Sequence, residues 1–219
     1  TSPSPLKAVF ASGMGASLLR LNFGVFETGR RLQWTYQNAA DARRRVGEVM
    51  APHTSDEAER RWYEVEKGKW IWYLPLDDIP DYVFSTMSPM LKKYLREQDK
   101  EFWAFREIHN QVNCPTYVLT GWWDRLVDTI SNFEGMVKSG PEKFRKDHRI
   151  IIGPWGHNAL NLTRDQGPLD FGPSADTTYP DEITRWYDYH YKGIDTGIAS
   201  QPPVKLFVMG ENKWRFEQM

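Results

Sequence analysis

The sequence predicts an α/β fold organised around a parallel sheet, and two observations carry that prediction. Pro115-Thr116-Tyr117-Val118-Leu119-Thr120-Gly121 and His148-Arg149-Ile150-Ile151-Ile152-Gly153 are near-continuous apolar runs, the pattern of strands buried on both faces. Between them Leu126, Val127, Ile130, Phe133 and Val137 recur at helical spacing, so strand, helix and strand form one crossover unit of a parallel sheet.

Upstream, Leu6-Lys7-Ala8-Val9-Phe10-Ala11 reads as another strand, followed by a loop at Gly13 and Gly15 that needs a permissive backbone. From about 32 to 50, Trp34, Ala42, Val46 and Val49 are interleaved with Arg43, Arg44, Arg45 and Glu48, as in a surface helix. Residues 56–67 read the same way behind Ser55 as N-cap. Pro75 and Pro80, with Asp77 and Asp78 between them, turn 73–80 into a loop. Helical spacing returns from about 89 to 107 through Leu91, Tyr94, Leu95, Phe102, Trp103 and Phe105, and again from about 181 to 192 with Ile183, Trp186, Tyr187 and His190 on one face. Ala199-Ser200-Gln201-Pro202-Pro203 has linker composition. Residues 204–209 alternate like a half-exposed antiparallel strand, so a second, all-β domain is expected to open there.

Composition excludes several function classes. Lys and Arg number 28 against 29 Asp and Glu, a net charge of -1 that gives no electrostatic footprint for nucleic acid or an anionic bilayer. No apolar run approaches the roughly 18 residues of a membrane span. The single cysteine, Cys114, excludes an internal disulfide framework and a Cys-based zinc cluster, and is expected to be a small buried hydrophobe. Aromatic residues make up 14% of the chain, including ten tryptophans, enough to suggest either interlayer packing or an apolar pocket wall.

Candidate chemistry gathers at two strand ends, Gly121-Trp122-Trp123-Asp124 and Gly153-Pro154-Trp155-Gly156-His157. Functional groups of a parallel sheet collect beyond the carboxyl ends of its strands, and one crossover is enough to bring Asp124 and His157 side by side. An Asp beside a His is half of a hydrolytic triad, because the carboxylate fixes the imidazole tautomer and stabilises the imidazolium. On spacing alone, Asp124 could equally cap the following helix and His157 could be a satisfied surface or core residue. Asp77, Asp78 and Asp81 read as turn-forming surface acids or as an acidic patch for a substrate amino group. Neither His53 nor His109 has a second histidine or a cysteine at i+4, so no metal is expected. Asn161-Leu162-Thr163 fits a glycosylation acceptor, a triplet that chance explains well.

The first strand end resembles the Gly-Trp-Tyr/Trp-Asp segment that carries the acid in serine hydrolases of the cocaine esterase / X-prolyl dipeptidyl peptidase type. Ile152-Gly153-Pro154-Trp155-Gly156-His157 resembles the Gly-Pro-Trp-x-His segment that carries their base. Tyr73-Leu74-Pro75-Leu76, the stretch from Asp99 to Trp103, Leu206-Phe207-Val208-Met209-Gly210 and Trp214-Arg215 match in the family's order. One departure is Arg96-Glu97, where the family often has His-Pro. The resemblance implies an α/β-hydrolase core over 1–24 and 111–199, a mainly helical cap insertion over 25–110, and the first strand of a carboxyl-terminal jelly roll within 200–219. It implies that His157 serves as general base and then general acid with Asp124 orienting it, and that Trp123, Leu126 and Trp155 line the acyl or leaving-group pocket, unless Trp155 simply packs on the sheet.

The family's serine lies on a Gly-x-Ser-x-Gly elbow, and no such pentapeptide occurs in these residues. The resemblance places the serine a short distance before Thr1 and the oxyanion tyrosine earlier still. The chain is therefore expected to be a fragment of a longer enzyme and inactive alone. Its expected partners are a small-molecule ester, amide or peptide substrate, with no cofactor, nucleic acid or membrane. The alternatives are a non-catalytic, aromatic-rich binding module or an interaction protein derived from a dead hydrolase.

Overall fold

The computed structural model describes residues 5–14, 27–48, 51–96, 106–124, 128–157, 162–176 and 179–218. The chain divides into two compact units, Val25–Lys100 and a second formed by Thr1–Gly24 with Glu101–Met219.

The second unit is built on a sheet. Strands β1 (Val9–Ser12), β2 (Thr116–Gly121) and β3 (Arg149–Gly153) run parallel. A small hairpin, β4 (Asp165–Gln166) with β5 (Leu169–Asp170), stands apart from them. Strand β6 (Val204–Val208) adds parallel to β3, and β7 (Lys213–Glu217) closes the edge antiparallel to β6. The order is β1-β2-β3-β6-β7. Every residue of β2 and β3 is buried, as the two apolar runs require. Tyr117, Leu119 and Ile151 pack with Trp186 and Ile198 on one face, while Val118, Ile150 and Ile152 pack with Phe133 and Met136 on the other. Helices Tyr179–Tyr187 and Asp128–Ser139 thus cover opposite faces. Each fully buried aliphatic or aromatic side chain contributes roughly 1.5–3 kcal/mol, so this two-sided burial holds the strand ends rigid.

Strand β6 departs from its expected pairing. The alternation at 204–209 suggested an antiparallel strand exposed on one face, yet β6 joins the parallel sheet along β3 and turns antiparallel only toward β7. Both of its faces are covered: Val204 and Leu206 pack against the Phe133 cluster, and Phe207 is enclosed by Phe171 and Ala175. Lys205 fits this setting because its Nζ meets the Glu182 carboxylate at 2.5 Å.

The other unit is helical. Its helix Thr28–Arg45 starts earlier than expected and buries Leu32, Tyr36, Ala39 and Ala40, whereas Trp34 and Val46 face solvent. Arg43 sits on the buried side because its guanidinium lies 4.3 Å from the Tyr36 ring and 3.1 Å from the Glu48 carboxylate. Helix Ser55–Arg61 is capped by Thr54 rather than Ser55; the Thr54 Oγ1 accepts the Glu57 N–H at 3.0 Å. Trp62, Ile79, Phe84 and Leu91 complete the core.

The helix expected over 89–107 is Ser88–Arg96 among the described residues, and Phe102, Trp103 and Phe105 lie outside them. The compact helical unit spans Val25–Lys100. A 3₁₀ turn at Arg106–Gln111 belongs with the sheet instead, because the His109 ring lies where a Cβ on Gly135 would be, 2.2 Å from it, and its Nε2 pairs with Asn132 Oδ1 at 2.8 Å.

Candidate active site

Strands β2 and β3 end in register, Gly121 opposite Gly153, and their ladder continues beyond the sheet. The Trp122 N–H donates to Gly153 O at 2.8 Å and the Trp123 N–H to Trp155 O at 3.0 Å. Asp124 N–H then folds back onto Gly121 O at 3.0 Å, closing a tight turn. This close approach needs both glycines. A Cβ on Gly121 would stand 1.9 Å from Trp155 O, and one on Gly153 would stand 2.3 Å from the Trp155 ring. Backbone hydrogen bonds therefore fix where the next side chains emerge, three residues on in one strand and four in the other.

Those side chains are Asp124 and His157. Asp124 Oδ1 lies 2.9 Å from His157 Nδ1, with the Asp124 side chain 4% exposed and the His157 side chain 36% exposed. The pair is an acid held inside and an imidazole presented at the surface. A carboxylate on Nδ1 selects the tautomer with the proton there and leaves Nε2 as the nitrogen for proton exchange. Beside the pair is a cavity of about 150 Å³ walled by Ser12, Gly13, Thr120 and Leu162. It has room for about five waters at roughly 30 Å³ each, well short of a full ligand pocket of roughly 300–1,000 Å³. Its size suits a single reacting group. Among the described residues no three His, Cys, Asp or Glu side chains converge as metal ligands.

The residues expected at a substrate wall separate. Trp123 is 50% exposed, next to the acid. Leu126 lies outside the described residues. Trp155 is 1% exposed and does not wall the cavity: its Nε1–H donates to Ala175 O at 3.0 Å, its ring packs against Trp214 and Gly153, and its carbonyl carries Trp123. Its part is to hold the strand end that bears His157. Sequence reading passed over Ser12, Thr120 and Leu162, which reach the cavity only through tertiary packing. The matched glycines were visible as two strands ending alike. Cys114 is buried, 1% exposed. Of the three loop acids, Asp77 pairs with Arg96 at 2.6 Å and Asp81 with Lys92 at 2.6 Å. Lys92 and Ser88 hold the Asp81 carboxyl below the usual carboxylate range.

Cocaine esterase of Rhodococcus sp. (strain MB1 Bresler) is 35% identical over 109 residues, which are 47% of this chain and 17% of that protein. An aminopeptidase from a marine sediment archaeon, Thaumarchaeota archaeon, superposes with a TM-score of 0.62 at 18% identity, covering 99% of this chain and 35% of its own, and shares the fold. The chain thus spans only a minor part of either relative. The family model for the X-Pro dipeptidyl-peptidase (S15 family) matches residues 1–159, and so the chain belongs to that family.

Proposed function

We propose that Asp124 and His157 are the acid and base of a serine hydrolase that cleaves carboxylic esters or amides through an acyl-enzyme. The observation that carries this reading is the 2.9 Å contact between a buried carboxylate and a partly exposed imidazole at the carboxyl ends of neighbouring parallel strands. In this reading His157 Nε2 takes the proton of an attacking serine hydroxyl as its oxygen bonds to the substrate carbonyl carbon. It then hands that proton to the departing alkoxide or amine, and water repeats the cycle to release the acid. Asp124 keeps the ring oriented and stabilises the imidazolium formed midway. With no Gly-x-Ser-x-Gly elbow in these residues, the serine is supplied from outside them, as in a longer polypeptide of which this is a part. Trp123, half-exposed beside the acid, is placed where it can touch a substrate. Family membership favours small-molecule ester, amide or peptide substrates.

A serine-directed fluorophosphonate tests this on a polypeptide that carries the elbow as well as these residues. It should label that protein and leave the 219-residue chain unlabelled. His157→Ala should lower ester turnover by roughly 10⁴-fold without unfolding the protein. Turnover and labelling undiminished in His157→Ala would exclude the assignment. A binding module built on the tryptophans would label in neither form; Trp62, Trp70, Trp155 and Trp186 are committed to packing, which leaves that reading to exposed residues such as Trp72, Trp122 and Trp123.

A further inference from the structure

At the end of the sheet opposite His157, where β3 and β6 begin, lies a cavity of about 480 Å³. Three cations wall it, Arg145, Lys146 and Arg149, together with Ser200, Gln201 and Gln218, and no acidic side chain does. Among the described residues none of the three cations is ion-paired. Arg149 donates from Nη1 to Gln201 O at 2.7 Å and Pro202 O at 3.4 Å, and from Nη2 to Ala199 O at 3.3 Å. Arg145 Nε donates to Gly140 O at 2.7 Å. These acceptors are neutral carbonyls. They orient the guanidinium groups without neutralising them.

Arg149 is the decisive residue, because it is only 7% exposed. Burial pulls its pKa below the ordinary arginine value; Tyr117, Asp147 and Tyr189 act the other way when ionised, and of these only Asp147 is charged near neutral pH. Asp147 is exposed and takes no part in the cavity wall. A buried cation with no direct ion pair is costly, and the cost falls when an anion enters the cavity beside it. Three of the five guanidinium N–H groups are engaged by carbonyls, so the others remain to meet a ligand on a group already held in place. Arg145 and Lys146 approach the same space from the turn that leads into β3. The three cations face one partly open cavity, Arg149 from its buried side and Arg145 and Lys146 from its exposed rim, and its volume is within the range of small-ligand sites, roughly 300–1,000 Å³.

We propose that this cavity binds a small organic anion by a phosphate or carboxylate group placed among Arg145, Lys146 and Arg149, at a site separate from the acid–base pair. The acceptor oxygens of such a group match the planar donor fork of arginine, and Lys146 adds a point charge at the rim.

The test is titration of the 219-residue chain with inorganic phosphate and, separately, with citrate at low ionic strength, read by the amide resonances of Ser200 and Gln201 and by the melting temperature. Saturable shifts at those amides and a rise in melting temperature are expected. Affinity should fall by roughly tenfold or more in R145Q/K146Q, two exposed positions, and stay unchanged in R164Q, whose partner Asp170 lies in the β4–β5 hairpin. Should the double variant unfold, K146Q alone carries the comparison with a smaller loss. Tighter phosphate binding assigns a phosphorylated ligand and tighter citrate binding a polycarboxylate. Shifts that never saturate, that potassium chloride reproduces at equal ionic strength, or that persist undiminished in R145Q/K146Q overturn the proposal. His157→Ala leaves this binding intact, so failure here and failure of the hydrolase reading are told apart.

Discussion

Replacing Gly121 by alanine should separate Asp124 from His157. The added Cβ would meet the Trp155 carbonyl oxygen at 1.9 Å, its carbon at 2.5 Å and its Cα at 3.0 Å, all of them backbone atoms that no rotamer change can withdraw. To restore the 3.4 Å of ordinary contact the carbonyl must retreat by about 1.5 Å, which breaks the 3.0 Å bond from the Trp123 N–H. Overpacking of this kind costs roughly 1–3 kcal/mol and the lost hydrogen bond about 1, so a destabilisation of about 2–4 kcal/mol is expected. The same displacement separates the turn carrying the acid from the loop carrying the base, and their 2.9 Å contact cannot follow. Urea unfolding reads the first effect, and the imidazole Nδ1–H resonance of His157 reads the second by exchanging with solvent once its carboxylate partner withdraws. Gly156→Ala is the control: its Cβ would approach only the tip of the Gln166 side chain, at 3.2 Å, which can swing aside. If Gly121→Ala unfolds within about 0.5 kcal/mol of the parent and keeps the protected resonance, the strand-end argument is wrong.

Trp155→Phe removes the indole donor from Ala175 O and leaves a buried carbonyl unsatisfied, so stability should fall by about 1–3 kcal/mol, with faster exchange at His157 Nδ1; a variant as stable as the parent would show that Trp155 only fills space. His148 is fully buried, neither of its ring nitrogens is hydrogen-bonded among the described residues, and burial, reinforced by the nearby His109, pushes its pKa down from 6.5 to about 4. The unfolded chain therefore takes up a proton near pH 6.5 that the folded chain refuses until about pH 4, so stability should decline as pH falls through that window, by at most about 3 kcal/mol, and level off below it. Urea unfolding across pH 4–7 measures the decline, and a slope unchanged in His148→Leu would remove this residue as its source.

Much of this site was legible because it hangs on features that are local in sequence. The apolar runs ending at Gly121 and Gly153 announced buried parallel strands, and chemistry at their carboxyl ends follows from how such sheets are connected. What stayed illegible depends on which neighbour a residue meets. Trp34 and Tyr36 differ little in local pattern, yet only Tyr36 is buried, because its ring receives Arg43 on one side and Trp62 on another. Alternation in β6 suggested a half-exposed strand because Lys205 looks polar in isolation, and Glu182, which makes that lysine tolerable inside, lies on a different element. Trp155 has the same letter in a pocket wall as in a packed core, and the Ala175 carbonyl that settles its place is twenty residues away.

The arrangement also bears on how such a site can be assembled from separate parts of a chain. The contact between Asp124 and His157 is set by β2, β3 and the backbone bonds just past them, with Trp155 braced from behind by Ala175 and Trp214. None of these supports involves a serine. Orientation of the imidazole is thus a property of the sheet that carries it, and in the proposed hydrolase a nucleophile delivered on another strand would meet an imidazole already aligned. Preorganisation of this kind matters because misplacement by about 1 Å can cost roughly 100-fold in rate. In the proposed hydrolase, mutations at Gly121, Gly153 or Trp155, none of which would donate or accept a proton, should lower turnover by roughly 100-fold through misplacement alone, short of the loss expected for His157→Ala.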